Sequence, residues 1–253
     1  MTELALQGRS VLVTGAAAGI GRAIVRAIAA RGGRVVLFDR DEAGAVALAQ
    51  AIGADSALAC GGEVTDSGAV EAALDAVTAR WGGLDGLVNN AGFGDTDAIL
   101  DTDDAAWQRV IDVNLTAPFR LGRQAVRRMT EGGAIVNVAS IYGVVAAPNR
   151  AGYCVTKAGL VMLTKVQALE WAGLGIRVNA VAPGYIATEP VAELARQGKI
   201  ELAAIERRTP LGRMGTADEV AAAVCFLLDP VAASYVTGHV LGVDGGWVAY
   251  GYV

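Results

Sequence analysis

Short apolar runs rich in β-branched residues alternate with longer helix-like runs along the chain. The first strand-like run covers residues 9–15, and the next run, at 19–33, has helical periodicity and closes at glycine. Strand-like runs follow at 34–39, 56–64, 84–92, 133–140, 176–184 and 239–246, with helix-like runs at about 41–52, 67–81, 103–130 and 151–173. Nearly unbroken apolar strands are typical of a sheet covered by helices on both faces. The pattern predicts an α/β fold with a doubly wound parallel sheet of about seven strands.

Composition excludes several other classes of protein. Of the 253 residues, 53% are hydrophobic and 19% are charged, and no linker or repeat divides them, so we expect a single domain over 1–253. A net charge of −5 gives no basic surface for a nucleic acid. One histidine, His239, and three distant cysteines predict no metal site. Glu3 and the lack of a long apolar stretch predict a cytoplasmic protein without a signal peptide or a membrane partner.

The first strand-like run leads into a glycine-rich turn, TGAAAGIG, at residues 14–21. Gly15 allows the tight turn, Gly19 lets the backbone approach phosphate oxygens, and Gly21 lets the helix pack near the strand. The free N–H groups and the dipole of the helix N-terminus then favour an anion. This turn, which includes Ile20, predicts a dinucleotide-binding site.

The second strand-like run ends at Asp39, 18 residues after Gly21. A carboxylate there can accept hydrogen bonds from the adenosine ribose hydroxyls and would repel a 2′-phosphate. Arg40 could instead pair with that phosphate, but Ala18 in the glycine turn offers no second cation. We therefore expect NAD as the cofactor, with NADP as the less favoured alternative.

Tyr153 and Lys157 are four residues apart at the start of the run at 151–173, so a helix places them on one face. A phenol with a pKa of ~10 is a poor base at neutral pH. A nearby ammonium stabilises the phenolate, so we expect Lys157 to lower the pKa of Tyr153. Ser140, at the end of a strand-like run, can donate to an oxygen on which negative charge develops. These three residues predict proton transfer to or from an alcohol or carbonyl oxygen.

Together these motifs resemble those of the short-chain dehydrogenase/reductase family. The resemblance covers essentially the whole chain and is carried by TGAAAGIG, NNAG at 89–92, VNL at 113–115, Ser140 thirteen residues before Tyr153, YCVTK at 153–157 and PG at 183–184. It implies a Rossmann-type fold, helices on both faces of the sheet, and hydride transfer between a nicotinamide and an alcohol or carbonyl compound. It also implies a homotetramer.

The resemblance implies roles for further residues. Asn114 would complete the catalytic set by holding a water that links Lys157 to solvent, and Lys157 would also hold the nicotinamide ribose. Glu63 stands where the family usually has Asp, beside the adenine. Ile186 would cover the carboxamide, and Thr188 would bond it or the phosphates. The other implied cofactor contacts are Val64, Asn90, Ala91, Gly92, Pro183 and Gly184.

The substrate is expected to lie among residues 93–97, 141–150 and a mobile helical lid at about 185–214. Candidate contacts are Tyr142, Asn149, Arg150 and Tyr185. Arg150 could clamp a carboxylate or sulfonate of the substrate, or it could face solvent and cap its loop, and both interpretations stay open.

The helix at 151–173 has few charges after Lys157, so its outer side is expected to meet a second subunit. The aromatic C-terminal run at 244–253 is expected to lie on a neighbouring subunit.

These expectations combine into an oxidoreductase that transfers a hydride between NAD(H) and a secondary alcohol or ketone, such as a polyol, a sugar derivative or a hydroxy acid. Three alternatives stay open. They are an NADPH-dependent 3-oxoacyl reductase, a non-catalytic dinucleotide sensor, and an epimerase or dehydratase on an extended version of the fold.

Overall fold

The computed structural model describes residues 5–251, so Glu3 and the last two residues of the aromatic C-terminal run lie outside the described part. In that part seven parallel strands form one sheet in the order β3-β2-β1-β4-β5-β6-β7. The strands are β1 (Ser10–Thr14), β2 (Arg34–Asp39), β3 (Ala57–Gly61), β4 (Gly86–Asn89), β5 (Gly133–Val138), β6 (Ile176–Pro183) and β7 (Val240–Val243). The predicted doubly wound sheet of the Rossmann type is confirmed.

Helices cover both faces of the sheet. Val11 and Val13 of β1 belong to one apolar cluster, and Leu12 between them belongs to the other. The first cluster also holds residues of α1 (Gly19–Ala29), α2 (Glu42–Ile52) and α9 (Ala217–Leu228). The second holds residues of α3 (Ser67–Trp81), α5 (Ala117–Val126) and α6 (Ala151–Trp171). Burial on both faces explains why the strands read as continuous apolar runs.

The helix predicted over 103–130 is present over 104–126, but a π-helical turn interrupts its regular hydrogen bonding. Helix α4 (Asp104–Ile111) is followed by a π-helical turn at Asp112–Thr116, and only then does α5 begin. Pro118, in the first turn of α5, has no N–H and would crowd the preceding carbonyls of a regular helix. The wider π turn avoids this clash of the proline ring, and it changes the direction in which the side chains of the turn point.

Helix α9 is an element that the sequence analysis did not predict. It begins at a capping box, in which Thr216 Oγ1 accepts the Glu219 N–H and the Glu219 carboxylate accepts the Thr216 N–H at 2.8 Å. Parallel neighbours such as β6 and β7 need a crossover of this kind. Two shorter helices precede it, α7 (Glu189–Arg196) and α8 (Leu202–Arg208). Over residues 5–251, none of the helices is both long and apolar enough to span a membrane.

The strand order reverses between β1 and β4, because β2 and β3 extend the sheet on one side and β4 to β7 on the other. In doubly wound sheets the carboxyl ends of the strands flanking such a reversal form a ligand-binding crevice. The segments that follow β1 and β4 begin at Gly15 and Asn90. The fold therefore brings the two glycine-containing motifs of the sequence to one edge.

Candidate active site

Asn90 fastens the glycine turn to the end of β4. Its Nδ2 donates to the main-chain oxygens of Thr14 and Gly15 at 2.9 and 3.0 Å. Thr14 Oγ1 in turn accepts the N–H groups of Asn90 and Ala91, each at 3.0 Å. A β-carbon at Gly21 would lie 1.9 Å from the Gly15 carbonyl oxygen, so α1 can start this close to β1 only with glycine there. Hydrogen bonds therefore join the predicted residues of the two motifs into one unit.

The N-terminus of α1 opens into the crevice beside this unit. Gly19 has a φ of +51°, and a β-carbon there would meet only Thr188 Cγ2, at 3.9 Å. None of the described side chains caps α1, and Ile20 packs against the first apolar cluster. The uncapped N–H groups, the helix dipole and the space next to Gly19 suit a diphosphate. Thr188 stands within reach of the same space.

Asp39 bounds the crevice at the end of β2. One carboxylate oxygen accepts the Ala17 N–H at 2.8 Å and the other accepts the Asp41 N–H at 2.9 Å. These bonds fix the carboxylate against the glycine turn, and each oxygen keeps a lone pair for a ligand hydroxyl. The neighbouring Arg40 side chain is exposed.

Val64 and Glu63 follow β3. Val64 lines a small recess together with Thr14 and Ala91, at the ends of β1 and β4. The Glu63 side chain is exposed. The structure therefore brings Val64 to the predicted adenine side and leaves Glu63 at the rim.

Ser140, Tyr153 and Lys157 meet beyond the end of β5. The Lys157 ammonium lies 5.5 Å from the centroid of the Tyr153 ring and donates to the Val138 carbonyl at 2.7 Å. Ser140 is buried, its Oγ accepts the Tyr142 N–H at 3.2 Å, and its hydroxyl is near enough to the Tyr153 phenol to favour a lower pKa of that phenol. A phenol, a hydroxyl donor and an ammonium therefore converge on one spot, as the motif spacing predicts.

Asn114 lies in the π turn and is completely buried. Its Nδ2 donates to the Phe93 carbonyl at 2.8 Å and to Thr156 Oγ1 at 3.2 Å, and its Oδ1 accepts the Phe93 N–H at 3.1 Å. A β-carbon at Gly92 would lie 3.0 Å from Asn114 Oδ1 and 3.5 Å from Lys157 Nζ. Asn114, Gly92 and Lys157 therefore share one buried corner. Asn114 fastens the loop after β4 to α6 in that corner.

Asp95 positions Tyr153 and was missed as an individual site residue. Its carboxylate accepts the N–H groups of Gly152 and Tyr153 at 2.9 and 3.0 Å. The residue before α6, Arg150, supplies no side-chain cap, so Asp95 caps α6 from a distant loop. Sequence reasoning finds N-caps next to the helix they serve, and this cap is 57 residues away from Gly152.

The ionisation of the site differs from the sequence-based expectation. Burial raises the pKa of the Tyr153 phenol, and the Ser140 hydroxyl and the Arg150 guanidinium offset this only in part. Burial lowers the pKa of Lys157 to about 8. The sequence analysis expected a Tyr153 pKa below the usual value, and the pKa is instead raised, because desolvation outweighs the nearby charges.

Three of the four candidate substrate residues form a cluster that reaches Tyr153 through Tyr142. The Tyr142 ring centroid lies 6.4 Å from that of Tyr153, and the Tyr142 and Tyr185 hydroxyl oxygens are 2.7 Å apart. The Arg150 guanidinium lies 5.9 Å from the Tyr142 ring centroid, with one contact of 3.5 Å to the Asp95 carbonyl. Asn149, by contrast, is exposed and has a φ of 60°, which fits a turn residue before α6.

The segment after β6 continues the edge of the site. Gly184, after Pro183, packs so closely on Asp244 that a β-carbon there would lie 2.9 Å from the Asp244 Cα. Ile186 is buried in the first apolar cluster and packs against Gly215. These residues therefore anchor the start of the predicted lid. Further along, Lys199 Nζ donates to Thr96 Oγ1 at 3.2 Å, which connects that segment to the loop after β4.

Trp247, in the aromatic C-terminal run, packs against the start of the segment after β6. Its ring centroid lies 5.2 Å from that of Tyr185 in the same chain. His239 is exposed, and its main chain pairs with β6 through the Ala180 N–H. In the described range, no group of three or more His, Cys, Asp or Glu side chains is arranged to hold a metal ion.

A sequence profile described as "Enoyl-(Acyl carrier protein) reductase" matches residues 15–248 of the chain. The chain belongs to the short-chain dehydrogenase/reductase family. The protein is therefore an NAD(P)-dependent oxidoreductase that acts on CH–OH groups.

Curated members of the short-chain dehydrogenase/reductase family are similar over nearly the whole chain. A cis-4-hydroxycyclohexanecarboxylate dehydrogenase of Sinomonas cyclohexanicum is 45% identical and covers 95% of this chain and 97% of its own length. A galactitol 2-dehydrogenase (L-tagatose-forming) of Cereibacter sphaeroides is 42% identical, with 98% of both chains covered. An uncharacterized family member of Sinorhizobium fredii is 44% identical over 96% of this chain, which spans only 44% of that protein's length.

Two further similarities bear on the reaction and the fold. A 3-oxoacyl-[acyl-carrier-protein] reductase of Vibrio cholerae is 39% identical over 95% of this chain and 98% of its own. Among solved structures, a family member of Brucella melitensis described as a glucose/ribitol dehydrogenase superimposes with a TM-score of 0.92 at 33% identity. It covers 97% of this chain and 99% of that one. The family thus includes both dehydrogenases of secondary alcohols and reductases of acyl ketones.

Proposed function

We propose that the protein transfers a hydride between NAD(H) and a secondary alcohol or its ketone, with Tyr153 as the proton carrier. One observation carries the proposal: the Lys157 ammonium lies 5.5 Å from the centroid of the Tyr153 ring, beside the end of β5. Ser140 adjoins the same phenol, and the crevice next to them has the features of a diphosphate site. Tyr153 and Lys157 are one helical turn apart, and both Ser140 and a crevice suited to a cofactor lie next to them.

The residues of this chain fit a nicotinamide dinucleotide. The α1 N-terminus and Gly19 would hold the diphosphate, with Thr188 on its other side. Asp39 would hold the adenosine ribose, and Val64 the adenine. When bound, the nicotinamide supplies the hydride acceptor or donor. Lys157, with two N–H donors left after its bond to Val138, would hold the nicotinamide ribose.

The preference for NAD over NADP rests on Asp39. Its charge is fixed beside the glycine turn by the Ala17 and Asp41 N–H groups. A 2′-phosphate on the ribose would be placed against that carboxylate, and like charges repel. Arg40 is exposed, so its guanidinium remains largely in solvent. We therefore assign NAD, and binding measured separately with NADH and NADPH tests the assignment.

Proton transfer follows from the ionisation of the site. In reduction, Tyr153 starts as the neutral phenol, which its raised pKa favours, and donates its proton to the carbonyl oxygen of the substrate. Ser140 donates a hydrogen bond to that oxygen as negative charge builds on it. In oxidation Tyr153 accepts the hydroxyl proton as phenolate, and protonated Lys157 stabilises this anion electrostatically. Asn114 would hold a water that links Lys157 to solvent, which would give the proton a path out of the site.

The side chains next to Tyr153 and the names of some relatives support the expected substrate classes. Tyr142 and Tyr185 offer hydroxyls and aromatic edges, which suit a polyol, a sugar derivative or a hydroxy acid. The guanidinium of Arg150 next to Tyr142 suits an acid, and one similar relative is named for a hydroxycyclohexanecarboxylate. Turnover of neutral polyols and matched sugar acids by the Arg150→Ala variant decides this point. An equal fall for both classes would show that Arg150 does not clamp an anion.

The second candidate is an NADPH-dependent 3-oxoacyl reductase, which the similarity to the Vibrio cholerae reductase favours. The Asp39 carboxylate argues against it. A non-catalytic sensor is disfavoured by the complete Ser140, Tyr153 and Lys157 set. An extended-family epimerase or dehydratase is disfavoured by the Pro-Gly segment at 183–184.

A broad panel of alcohols and ketones, followed by absorbance of the reduced nicotinamide, separates these functions. Turnover of secondary alcohols with NAD supports the proposal, and turnover of 3-oxoacyl thioesters with NADPH alone supports the rival. Cofactor binding without any turnover would identify a sensor.

Assembly and location complete the proposal. Val155, Met162, Val166 and Leu169 of α6 are 43 to 82% exposed and lie along one side of the helix, which supports a homotetramer that buries this side. A monomer in light scattering would refute this.

Cys60, Cys154 and Cys225 are free thiols, which is consistent with a cytoplasmic location. The one continuous sheet supports a single domain over 1–253, with the lid at 185–214 as a part of it.

A further inference from the structure

A row of aromatic side chains leads from Tyr153 to the C-terminal segment. The ring centroids of Tyr142 and Tyr185 are 6.3 Å apart with the planes at 85°, and those of Tyr185 and Trp247 are 5.2 Å apart. The Tyr142 ring also meets the Tyr153 ring edge-on. Because the two tyrosine hydroxyls hydrogen-bond at 2.7 Å, the row links the segment after β5 to that after β6. The row therefore begins at the Tyr153 ring and ends at Trp247 in the segment after β7.

Arg208, the last residue of α8, holds the far end of this row. Its guanidinium lies 4.8 Å from the ring centroids of both Trp247 and Tyr250. It also donates to the main-chain oxygens of Trp247 and Tyr250, at 3.2 and 2.6 Å. A planar guanidinium can stack on a ring and donate in its own plane, which an ammonium cannot do. The Leu211 N–H adds a bond to the Gly245 carbonyl, at 3.2 Å.

We propose that residues 244–251 form the outer wall of this chain's own substrate pocket and that this wall selects cyclic secondary alcohols over short acyclic ones. Trp247, Tyr185 and Tyr142 are its specificity-determining residues, and Arg208 is the positioning residue that sets Trp247. The inference rests on the proposed function and narrows its substrate class.

The chemistry of the wall supports a ring-bearing substrate. Aromatic faces and edges gain most from a broad apolar surface, such as the C–H face of an alicyclic or sugar ring. The paired hydroxyls of Tyr142 and Tyr185 can bond further hydroxyls on that ring. A short acyclic alcohol reaches Tyr153 and Ser140 but is too small to cover the row. The wall therefore contributes binding energy for the ring and almost none for the short alcohol.

The test compares Arg208→Ala with Arg207→Ala in the full-length protein. Arg207 is the preceding residue and pairs only with Glu201 at the surface, at 3.5 Å and with both side chains largely exposed, among the contacts of the described chain. KM and kcat are measured with NAD for cyclohexanol and for 2-propanol, together with the KM for NAD. We expect Arg208→Ala to raise the cyclohexanol KM about tenfold, the scale of one lost aromatic contact. Its kcat, its KM for NAD and its KM for 2-propanol should stay within about twofold, and Arg207→Ala should resemble the wild type.

Trp247→Leu is the second variant, and it decides the matter if Arg208→Ala does not fold. It should raise the cyclohexanol KM as Arg208→Ala does, with the circular dichroism spectrum unchanged. Equal KM changes for the two alcohols, or none in either variant, would overturn the inference. If the wild type oxidises neither alcohol nor any other secondary alcohol, the proposed function itself has failed. The two failures are therefore distinguishable.

Discussion

The carboxylate of Asp95 accepts the main-chain N–H of Tyr153 at 3.0 Å, across 58 residues of chain. A second bond to the Gly152 N–H, at 2.9 Å, makes Asp95 the cap of α6. The first turn of this helix carries the phenol, so the loop after β4 fixes where the proton carrier stands. The position of Tyr153 thus depends on a residue that does no chemistry itself.

Replacing Asp95 should therefore impair both stability and turnover. Asp95→Ala leaves two N–H groups of α6 without their acceptor and should lower the free energy of unfolding by ~1–2 kcal/mol, as for lost N-caps. It should also lower kcat, because Tyr153 loses its anchor. Urea unfolding and steady-state kinetics measure the two effects. Asp97→Ala, at an exposed carboxylate in the same loop, is the control and should match the wild type. Unchanged stability and kcat in Asp95→Ala would show that the cap has no such role.

Cofactor choice should respond to the charge of Asp39. Asp39→Asn removes the charge while keeping a side-chain oxygen for one N–H, so the preference for NADH over NADPH should fall by about tenfold or more, or ~1.4 kcal/mol. Fluorescence titration with each cofactor gives the ratio. Asp41→Asn makes the same charge change two residues away, where the carboxylate caps α2, and should leave the ratio unchanged. Equal shifts in both variants would point to net charge rather than to a contact with the ribose.

The burial of Lys157 should be visible in the pH dependence of stability. Burial lowers the pKa of Lys157 in the folded protein to about 8, against 10.5 for the free side chain. The folded state therefore binds fewer protons than the unfolded state between these values, and its stability rises with pH in that window. Relative to Lys157→Met, the free energy of unfolding of the wild type should rise by ~3 kcal/mol from pH 7 to 10.5.

Chemical unfolding of the two proteins at each pH provides this difference. Because the same substitution removes the ammonium that stabilises phenolate, Lys157→Met should also lose oxidation activity. A difference in stability that stays flat across the window would mean that Lys157 is not a buried titrating group.

The features that local sequence determines were predicted well. Continuous apolar strands alternating with helices gave the doubly wound sheet, and the glycine spacing gave the turn that Asn90 locks to β4. The four-residue spacing of Tyr153 and Lys157 put the Lys157 ammonium next to the Tyr153 ring. These features depend on neighbours in the chain, on helical periodicity and on strand order, which the sequence carries directly.

The features that were missed depend on contacts between distant segments. Asp95 caps a helix that begins far along the chain, and Trp247 packs on Tyr185, which belongs to a distant segment. The raised pKa of Tyr153 reflects burial by several elements at once. Helix α9 was different, because the Thr216 and Glu219 capping box was present in the sequence and could have revealed it.

The central claim is that Tyr153 carries the proton between solvent and substrate. Its most direct test is the turnover rate of Tyr153→Phe with NAD and a secondary alcohol that the wild type oxidises. Phenylalanine keeps the ring next to Lys157 and Tyr142 and removes only the hydroxyl, so folding and NADH binding should be retained. We predict that kcat falls by about 10²- to 10⁴-fold, the usual contribution of a general acid or base. A variant that folds, binds NADH and turns over at the wild-type rate would contradict the account.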